Sequence, residues 1–443
     1  MTDFAKFNFK NRKDLQAKIG ELGLDIAWSN NLSIFKENIK LDTCEIPNKL
    51  AIHPMEGLDA NNQGAPGKLT TRRYLNFARG GAGLIWWEAT SVVTEGKSNK
   101  NQLHLKEDNK SAFASLVNKV NNAAIDEYGR KPVNILQLNH SGRYSAPQNI
   151  NEPIFLFHDP HSDDKAGIKK DMEPVGDTYL SELVDKYVQT SKIAQNAGFD
   201  GVDIKACHRY LLSEQLAAYN RDGQYGGSYK NRVKLLLTII EEVKQNCPDL
   251  LIAVRLNVYD AIPYPYGWGV NNKDAAKPDL SEAKRLVEEL ENRGVEIFSI
   301  TASDPRINPH IVRPYNNPVG KNEPPQEHPL QGCHRLFELT AKIKKELPES
   351  VVLGSGYSWL KEFFPFIAAG NLEERKADMV GVGRMAFAYS DFAKDMLTRQ
   401  KLASDKVCVA CSRCSELMIA GGPTGCVVRE KTPYLRLYKE KVN

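Results

Sequence analysis

The chain has 443 residues, of which 41% are apolar and 26% charged, an ordinary globular balance that leaves room for a substantial core. Its 59 basic and 55 acidic side chains leave a formal charge of only +4, too small to argue for nucleic acid, and no basic run is present that could track phosphates. No apolar stretch approaches the roughly 18 residues of a membrane helix, and the opening MTDFAKFNFKNRKD lacks the apolar centre of a signal peptide, so a cytoplasmic, non-membrane protein is expected.

Residues 1–45 read as an N-terminal extension with a polar helical segment near Arg12–Leu22. Beyond it, short runs rich in β-branched residues fall at Lys49–His53, Gly83–Glu88, Val133–Leu138, Gly201–Lys205, Leu251–Leu256, Val295–Ile300, Val351–Leu353 and Asp378–Val382. Between them lie amphipathic segments such as Ser181–Ala197, Tyr229–Gln245, Ser281–Asn292 and His334–Leu347, with apolar residues at three- and four-residue spacing. This alternation predicts an α/β fold of parallel βαβ units. Eight strands favour a closed (β/α)8 TIM barrel over an open sheet, because the first strand runs into His53-Pro-Met-Glu-Gly57 and not into a glycine-rich dinucleotide fingerprint. The barrel is assigned to residues 46–402 and a short cysteine-rich tail to 403–443.

Three connections are longer than an ordinary βα turn: Asn139–Thr178, Tyr259–Asp279 and Ala302–Leu330. All follow strands, so in a barrel they gather on the C-terminal face, where active sites are built. The last carries prolines at 305, 309, 314, 318, 324, 325 and 329 and is expected to wall or cover a substrate.

The segment Asp200-Gly-Val-Asp-Ile-Lys-Ala-Cys-His-Arg-Tyr-Leu-Leu212 starts as a buried strand and ends in Lys205, His208 and Tyr210. Residues three apart on a strand face opposite ways. For Lys205 and His208 to converge, the chain must leave extended geometry around Ala206-Cys207. A cation, an imidazole and a phenol together would make an anion or carbonyl site with a proton donor beside it. A salt-bridged lysine and two satisfied polar side chains would fit the segment equally well.

Next comes Asn220-Arg-Asp-Gly-Gln-Tyr-Gly-Gly-Ser-Tyr-Lys-Asn-Arg232. With it, Gly198–Arg232 resembles the signature of the old yellow enzyme family of FMN-dependent ene reductases. Further matches lie in order at the strand ends: Pro54-Met55, Glu88-Ala-Thr90, Gln137-Leu-Asn-His-Ser-Gly-Arg143, Arg255, Gly354-Ser-Gly356 and Gly381-Val-Gly-Arg384. The resemblance implies FMN as cofactor. Pro54, Met55 and Ala89 would pack around its ring, and Gln137 would bond the pyrimidine edge. Arg255 would lie near N1, where charge collects on reduction. Gly356, Gly383 and Arg384 would receive the phosphate. Glu56 stands where a threonine often contacts flavin O4.

The same resemblance maps the carbonyl-binding pair onto Lys205 and His208 and the proton donor onto Tyr210. It implies hydride transfer from flavin N5 to an activated alkene. Lys205 replaces the usual histidine, and its ammonium suits a carboxylate-bearing substrate.

Cys408-x2-Cys411-x2-Cys414-x11-Cys426 is a metal-ligand pattern that a [4Fe–4S] cluster or a zinc ion satisfies equally in count. A cysteine set just after a flavin barrel is similar to the iron–sulfur branch of the family, with 2,4-dienoyl-CoA reductase and trimethylamine dehydrogenase, and this favours the cluster. Those relatives continue into nucleotide-binding domains, whereas this sequence ends seventeen residues after Cys426 without a glycine fingerprint. Electrons are therefore expected from a separate ferredoxin or flavoprotein, with direct reduction by NAD(P)H beside a zinc-stabilised tail as the alternative. An amine dehydrogenase or demethylase is the competing reaction class, disfavoured because Lys205 would repel an ammonium substrate. A non-catalytic electron relay is the third reading. Homo-oligomerisation is left open.

Overall fold

The computed structural model describes residues 4–320 and 322–442. Eight parallel strands close into a barrel: β1 (Leu50–Ile52), β2 (Leu84–Ser91), β3 (Val133–Asn139), β4 (Gly201–Ile204), β5 (Leu251–Asn257), β6 (Val295–Thr301), β7 (Val351–Gly354) and β8 (Met379–Val382). Closure is direct, with Val380, Gly381 and Val382 of β8 in register with Leu50, Ala51 and Ile52 of β1. Every residue of β2 and β3 is buried, as expected for strands covered on both faces.

Alternation along each strand sorts the core into two parts. Ala51, Leu84, Trp86, Ile135, Ala253, Ile297 and Leu353 share one apolar cluster. Their neighbours Ile52, Ile85, Trp87, Leu136, Val254 and Val352 belong to a larger cluster formed with the surrounding helices. Each fully buried aliphatic or aromatic side chain stabilises the fold by roughly 1.5–3 kcal/mol.

The N-terminal extension closes one end. Ile39–Lys40 and Glu45–Ile46 pair antiparallel, and Ile46, with Ile39, Leu41 and Cys44, packs among the first residues of the strands, including Leu84, Val133, Leu251, Val351 and Met379. The helix ahead of it runs Arg12–Glu21, capped by the Asn11 side chain. The helix expected from His334 begins at Pro329: proline suits the first helical position, and the His328 ring accepts the Leu330 N–H at 3.1 Å.

Opposite that floor, the long connections carry short helices at Asp163–Ala166 and Pro309–Val312. The tail, with helices Arg413–Ile419 and Lys431–Lys441, is tied to this end of the barrel. Thr424 N–H donates to Gly57 O at 2.7 Å, Asn316 Nδ2 to Val409 O at 2.9 Å and Arg313 Nη2 to Ser415 Oγ at 2.9 Å. Among the described residues, no helix is long and apolar enough to cross a membrane.

Candidate active site

The side chains expected to react, Lys205, His208 and Tyr210, come from one bend. Extended geometry persists past β4, for Ala206 N donates to Arg255 O at 2.9 Å and accepts Asn257 N–H on its carbonyl at 3.0 Å. The turn falls at His208 and Arg209, both left-handed with φ of +62° and +58°, two residues later than the sequence suggested. Such a conformation costs a non-glycine residue on the order of 1 kcal/mol and must be held from outside. The holders are visible. Asn257 Oδ1 accepts the His208 N–H at 3.3 Å, and its Nδ2 is fixed by Asp260 Oδ1 at 2.8 Å and Ser303 O at 2.9 Å. Arg209, fully buried, pairs with Asp159, donates to Tyr266 O at 2.5 Å and lies 3.8 Å from Asp260. Two of the long connections therefore clamp this bend.

Above it, Tyr210 hydroxyl donates to Glu56 Oε1 at 3.3 Å. Lys205 Nζ lies 3.7 Å from the same oxygen and 3.7 Å from the centre of the Tyr210 ring. Burial lowers the Lys205 ammonium, with the Glu56 carboxylate pulling the other way. Burial raises the Tyr210 phenol, and Glu56 adds to that rise. His208 Nε2 meets Thr301 Oγ1 at 3.4 Å; burial first, then the cations Arg255, Lys205, Arg313 and Arg306, hold it well below its ordinary range. The imidazole is neutral at pH 7 and surrounded by positive charge.

Several participants carried no clear signal in the sequence. Arg306 stacks 3.9 Å from the Tyr144 ring centre and 5.6 Å from that of Tyr210, while Tyr144 hydroxyl bonds Asp304. The only hint was Asp304-Pro-Arg306 standing directly behind a strand on the active face. Glu56, read as a flavin contact, directs its carboxylate to Tyr210 and Lys205, and its Oε2 accepts from Ser98 Oγ at 2.8 Å.

The residues expected around FMN occupy the same mouth. Pro54 O accepts from Arg255 Nη1 at 3.3 Å. Gln137 Nε2 is engaged by Asp203 Oδ2 at 2.6 Å, which also accepts from Trp86 Nε1 at 2.9 Å; burial still raises Asp203 to about 6. A register shift between Trp87 and Thr90 sets Ala89 in a bulge, a device common beside active sites. Gly356 has φ +96°, and a Cβ at Gly383 would stand 2.9 Å from Met55 Sδ. The mouth keeps unpaired buried donors, among them Arg255 Nε and Arg384 Nη1. Spare guanidinium N–H groups beside glycine-lined strand ends fit a phosphorylated, electron-accepting ring system.

Arg384 also borders the tail. Cys408, Cys411, Cys414 and Cys426 line one small cavity with Arg384 and Phe387. Burial raises the thiols of Cys408, to about 12, and of Cys414 and Cys426. Among the described residues, no group of three or more His, Cys, Asp or Glu side chains is arranged to hold a metal ion.

A closed eight-stranded barrel whose C-terminal mouth gathers a phenol, an imidazole and several cations is the architecture of a barrel enzyme. The chain belongs to the NADH:flavin oxidoreductase / NADH oxidase family, whose model matches residues 33–275. It is 25% identical over 385 residues to an NADH oxidase of Thermoanaerobacter brockii, an alignment covering 86% of this chain and 53% of that protein; the chain thus spans about half the length of that relative. In fold it resembles 2-naphthoyl-CoA reductase in complex with 2-naphthoyl-CoA (TM-score 0.71, 17% identity, 92% of this chain and 58% of that one). It also resembles an old yellow enzyme homologue from Zymomonas mobilis (TM-score 0.61, 18% identity, 84% and 94%).

Proposed function

We propose that the chain is an FMN-dependent ene reductase acting on an activated C=C bond in an enoate, enone or enoyl thioester. The observation that carries this reading is the bend at Lys205–Tyr210, which sets a buried phenol against the Lys205 ammonium and holds a neutral imidazole on the same bend at the barrel mouth. Bound FMN would supply two-electron, hydride-transfer chemistry at this mouth. In this reading Pro54, Met55, Ala89, Gln137 and Arg255 hold its ring, and Gly356, Gly383 and Arg384 its phosphate. His208 and Lys205 bind the carbonyl oxygen and stabilise charge developing on it. Tyr210 delivers its proton to the α-carbon.

Lys205 is largely matched by Glu56, so it no longer explains a preference for anions by itself. Arg306 and Arg313, which act on the same imidazole, restore that preference, and the same cations weigh against an ammonium substrate. The likeness to the NADH oxidase of Thermoanaerobacter brockii supports NADH as reductant. A second route through the tail is supported by the four thiols around one cavity beside Arg384. A [4Fe–4S] cluster there would supply one-electron transfer from an external ferredoxin or flavoprotein. Zinc held by the same four cysteines would instead stabilise the tail and supply no electron transfer.

The test is anaerobic reduction of trans-cinnamate, crotonyl-CoA and cyclohex-2-enone by the FMN-loaded enzyme supplied with NADH or, separately, with dithionite. Reduction of at least one is expected, and Tyr210→Phe should slow it by about 10²- to 10⁴-fold while flavin content stays unchanged. A protein that reduces none of them, or a phenylalanine variant as fast as the original, ends this reading.

A further inference from the structure

Once Tyr210 has given up its proton, the buried mouth holds a phenolate that must be recharged before the next cycle. The groups facing that phenol are Glu56, Lys205, Arg306 and Asp304. A guanidinium does not release its proton. Asp304 is engaged by the Tyr144 hydroxyl and the backbone N–H of Arg306. Lys205 lies over the ring, not in line with the hydroxyl. The side chain that accepts the Tyr210 hydroxyl bond is Glu56.

We infer that Glu56 and Ser98 form a proton relay that recharges Tyr210 from solvent, an inference that rests on the proton-donor role proposed for Tyr210. One carboxylate oxygen of Glu56 faces the phenol at 3.3 Å and the other accepts from Ser98 Oγ at 2.8 Å. Both Glu56 and Ser98 are half-buried, and Lys100, two residues on, is exposed, so the pair spans from the sealed phenol to the rim. The backbone behind Glu56 is fixed: Gly57 N–H donates to Glu88 Oε2 at 2.6 Å, and Gly57 O accepts from Thr424 N–H at 2.7 Å.

The proton count closes. The O–H bond of Tyr210 breaks as the substrate C–H bond forms. The Glu56 carboxylate takes a proton from water by way of the Ser98 hydroxyl, and the phenolate lone pair then takes that proton from the Glu56 carboxyl, which returns to the carboxylate. No electrons move in these steps. A half-turn about the last torsion of Glu56, a broad two-fold rotor, carries the protonated oxygen from the Ser98 side to the phenol side. Lys205, 3.7 Å from both the carboxylate oxygen and the ring centre, stabilises whichever of the two groups is anionic at each stage.

The experiment uses the FMN-loaded enzyme with trans-cinnamate, crotonyl-CoA and cyclohex-2-enone. Glu56→Gln keeps the side chain's shape and removes its exchangeable acid. Steady-state turnover should fall roughly 10²-fold, the lower end of what a positioned proton-transfer group contributes. Added formate should restore it in proportion to concentration, and a solvent deuterium isotope effect larger than that of the unmodified enzyme should accompany the slowed turnover. Ser98→Ala, which cuts only the outer leg, should give a smaller loss with the same rescue. Turnover of Glu56→Gln equal to wild type, or a loss that formate leaves untouched, overturns the relay. Should Glu56→Gln fail to fold, unchanged turnover in Ser98→Ala overturns it instead. If Tyr210→Phe costs nothing, the proton-donor reading fails first; if Tyr210→Phe is slow and Glu56→Gln is not, the relay alone fails.

Discussion

At one end of the barrel, Ile46, Leu84, Leu251, Val351 and Met379 meet with apolar side chains. At the other, Lys205, Arg209, Tyr210 and Arg255 are packed with Asp159, Glu56 and Asp203. The floor has dispersion and apolar burial behind it, which tolerate small errors of placement. The mouth has buried charges and left-handed residues, whose cost is recovered only when every partner is in place. Unpaired buried donors such as Arg255 Nε and Arg384 Nη1 lie at the mouth. One set of strands thus carries cohesion below and chemistry above, and each can be altered with a separable result.

The largest effect is expected at the mouth's own scaffold. Arg209→Met leaves Asp159 buried without its cation and removes the clamp on the bend. Breaking a buried pair from one side costs about 3–5 kcal/mol. Urea unfolding should show that loss, and turnover per folded molecule should fall with it because His208 and Tyr210 sit on the released bend. A variant as stable as the original would mean that the mouth is not held by its ion pairs, and the contrast with the floor would dissolve.

The floor offers the complementary case. Ile46→Ala removes a fully buried side chain from beneath the strands. The loss should fall in the lower part of the roughly 2–5 kcal/mol range for such truncations, because a two-residue hairpin strand can settle into part of the gap. Turnover per folded molecule should not change. A parallel loss of activity would show that the two ends are mechanically coupled.

The same division explains what the sequence disclosed. The eight strands were legible because their apolar runs are short, continuous and separated by amphipathic helices, and observed bounds such as Val133–Asn139 and Val295–Thr301 differ from the expected ones by a residue. The cluster Lys205, His208 and Tyr210 was legible because one short segment contributes all three. The bend itself was misplaced, since no glycine marks His208 and Arg209 and the holding contacts arrive from Asn257, Asp159 and Tyr266. Glu56 could be singled out but not aimed, for its partner Tyr210 is 154 positions away. The floor was invisible, because two-residue strands such as Ile39–Lys40 carry no periodicity.

Taken one group at a time, the smallest effect is the dependence of stability on pH, and it separates the two ends most cleanly. Burial holds His53 and His208 well below their ordinary range, His140 down to about 3 and His104 to about 4. The unfolded chain binds a proton at each below about 6.5, while the folded chain does not. Stability from these groups is therefore complete above about 6.5 and is lost as pH falls toward the folded values. Each histidine contributes a slope of about 1.4 kcal/mol per pH unit. Asp203 works in reverse. Raised to about 6, it keeps its proton when folded, so its contribution declines as pH rises from about 3.9 to 6; Glu88, raised by burial to about 7, behaves in the same way, and the two offset roughly two histidines. Unfolding free energy measured from pH 7 to pH 4 should fall, with net proton uptake. His140→Gln should reduce the slope by one histidine's share, whereas Ile46→Ala should lower the whole curve and leave the histidine share of its slope alone, because His53, His104, His140 and His208 all lie past the opposite ends of the strands. A slope that changed with Ile46→Ala and not with His140→Gln would place the titrating burial at the wrong end of the barrel.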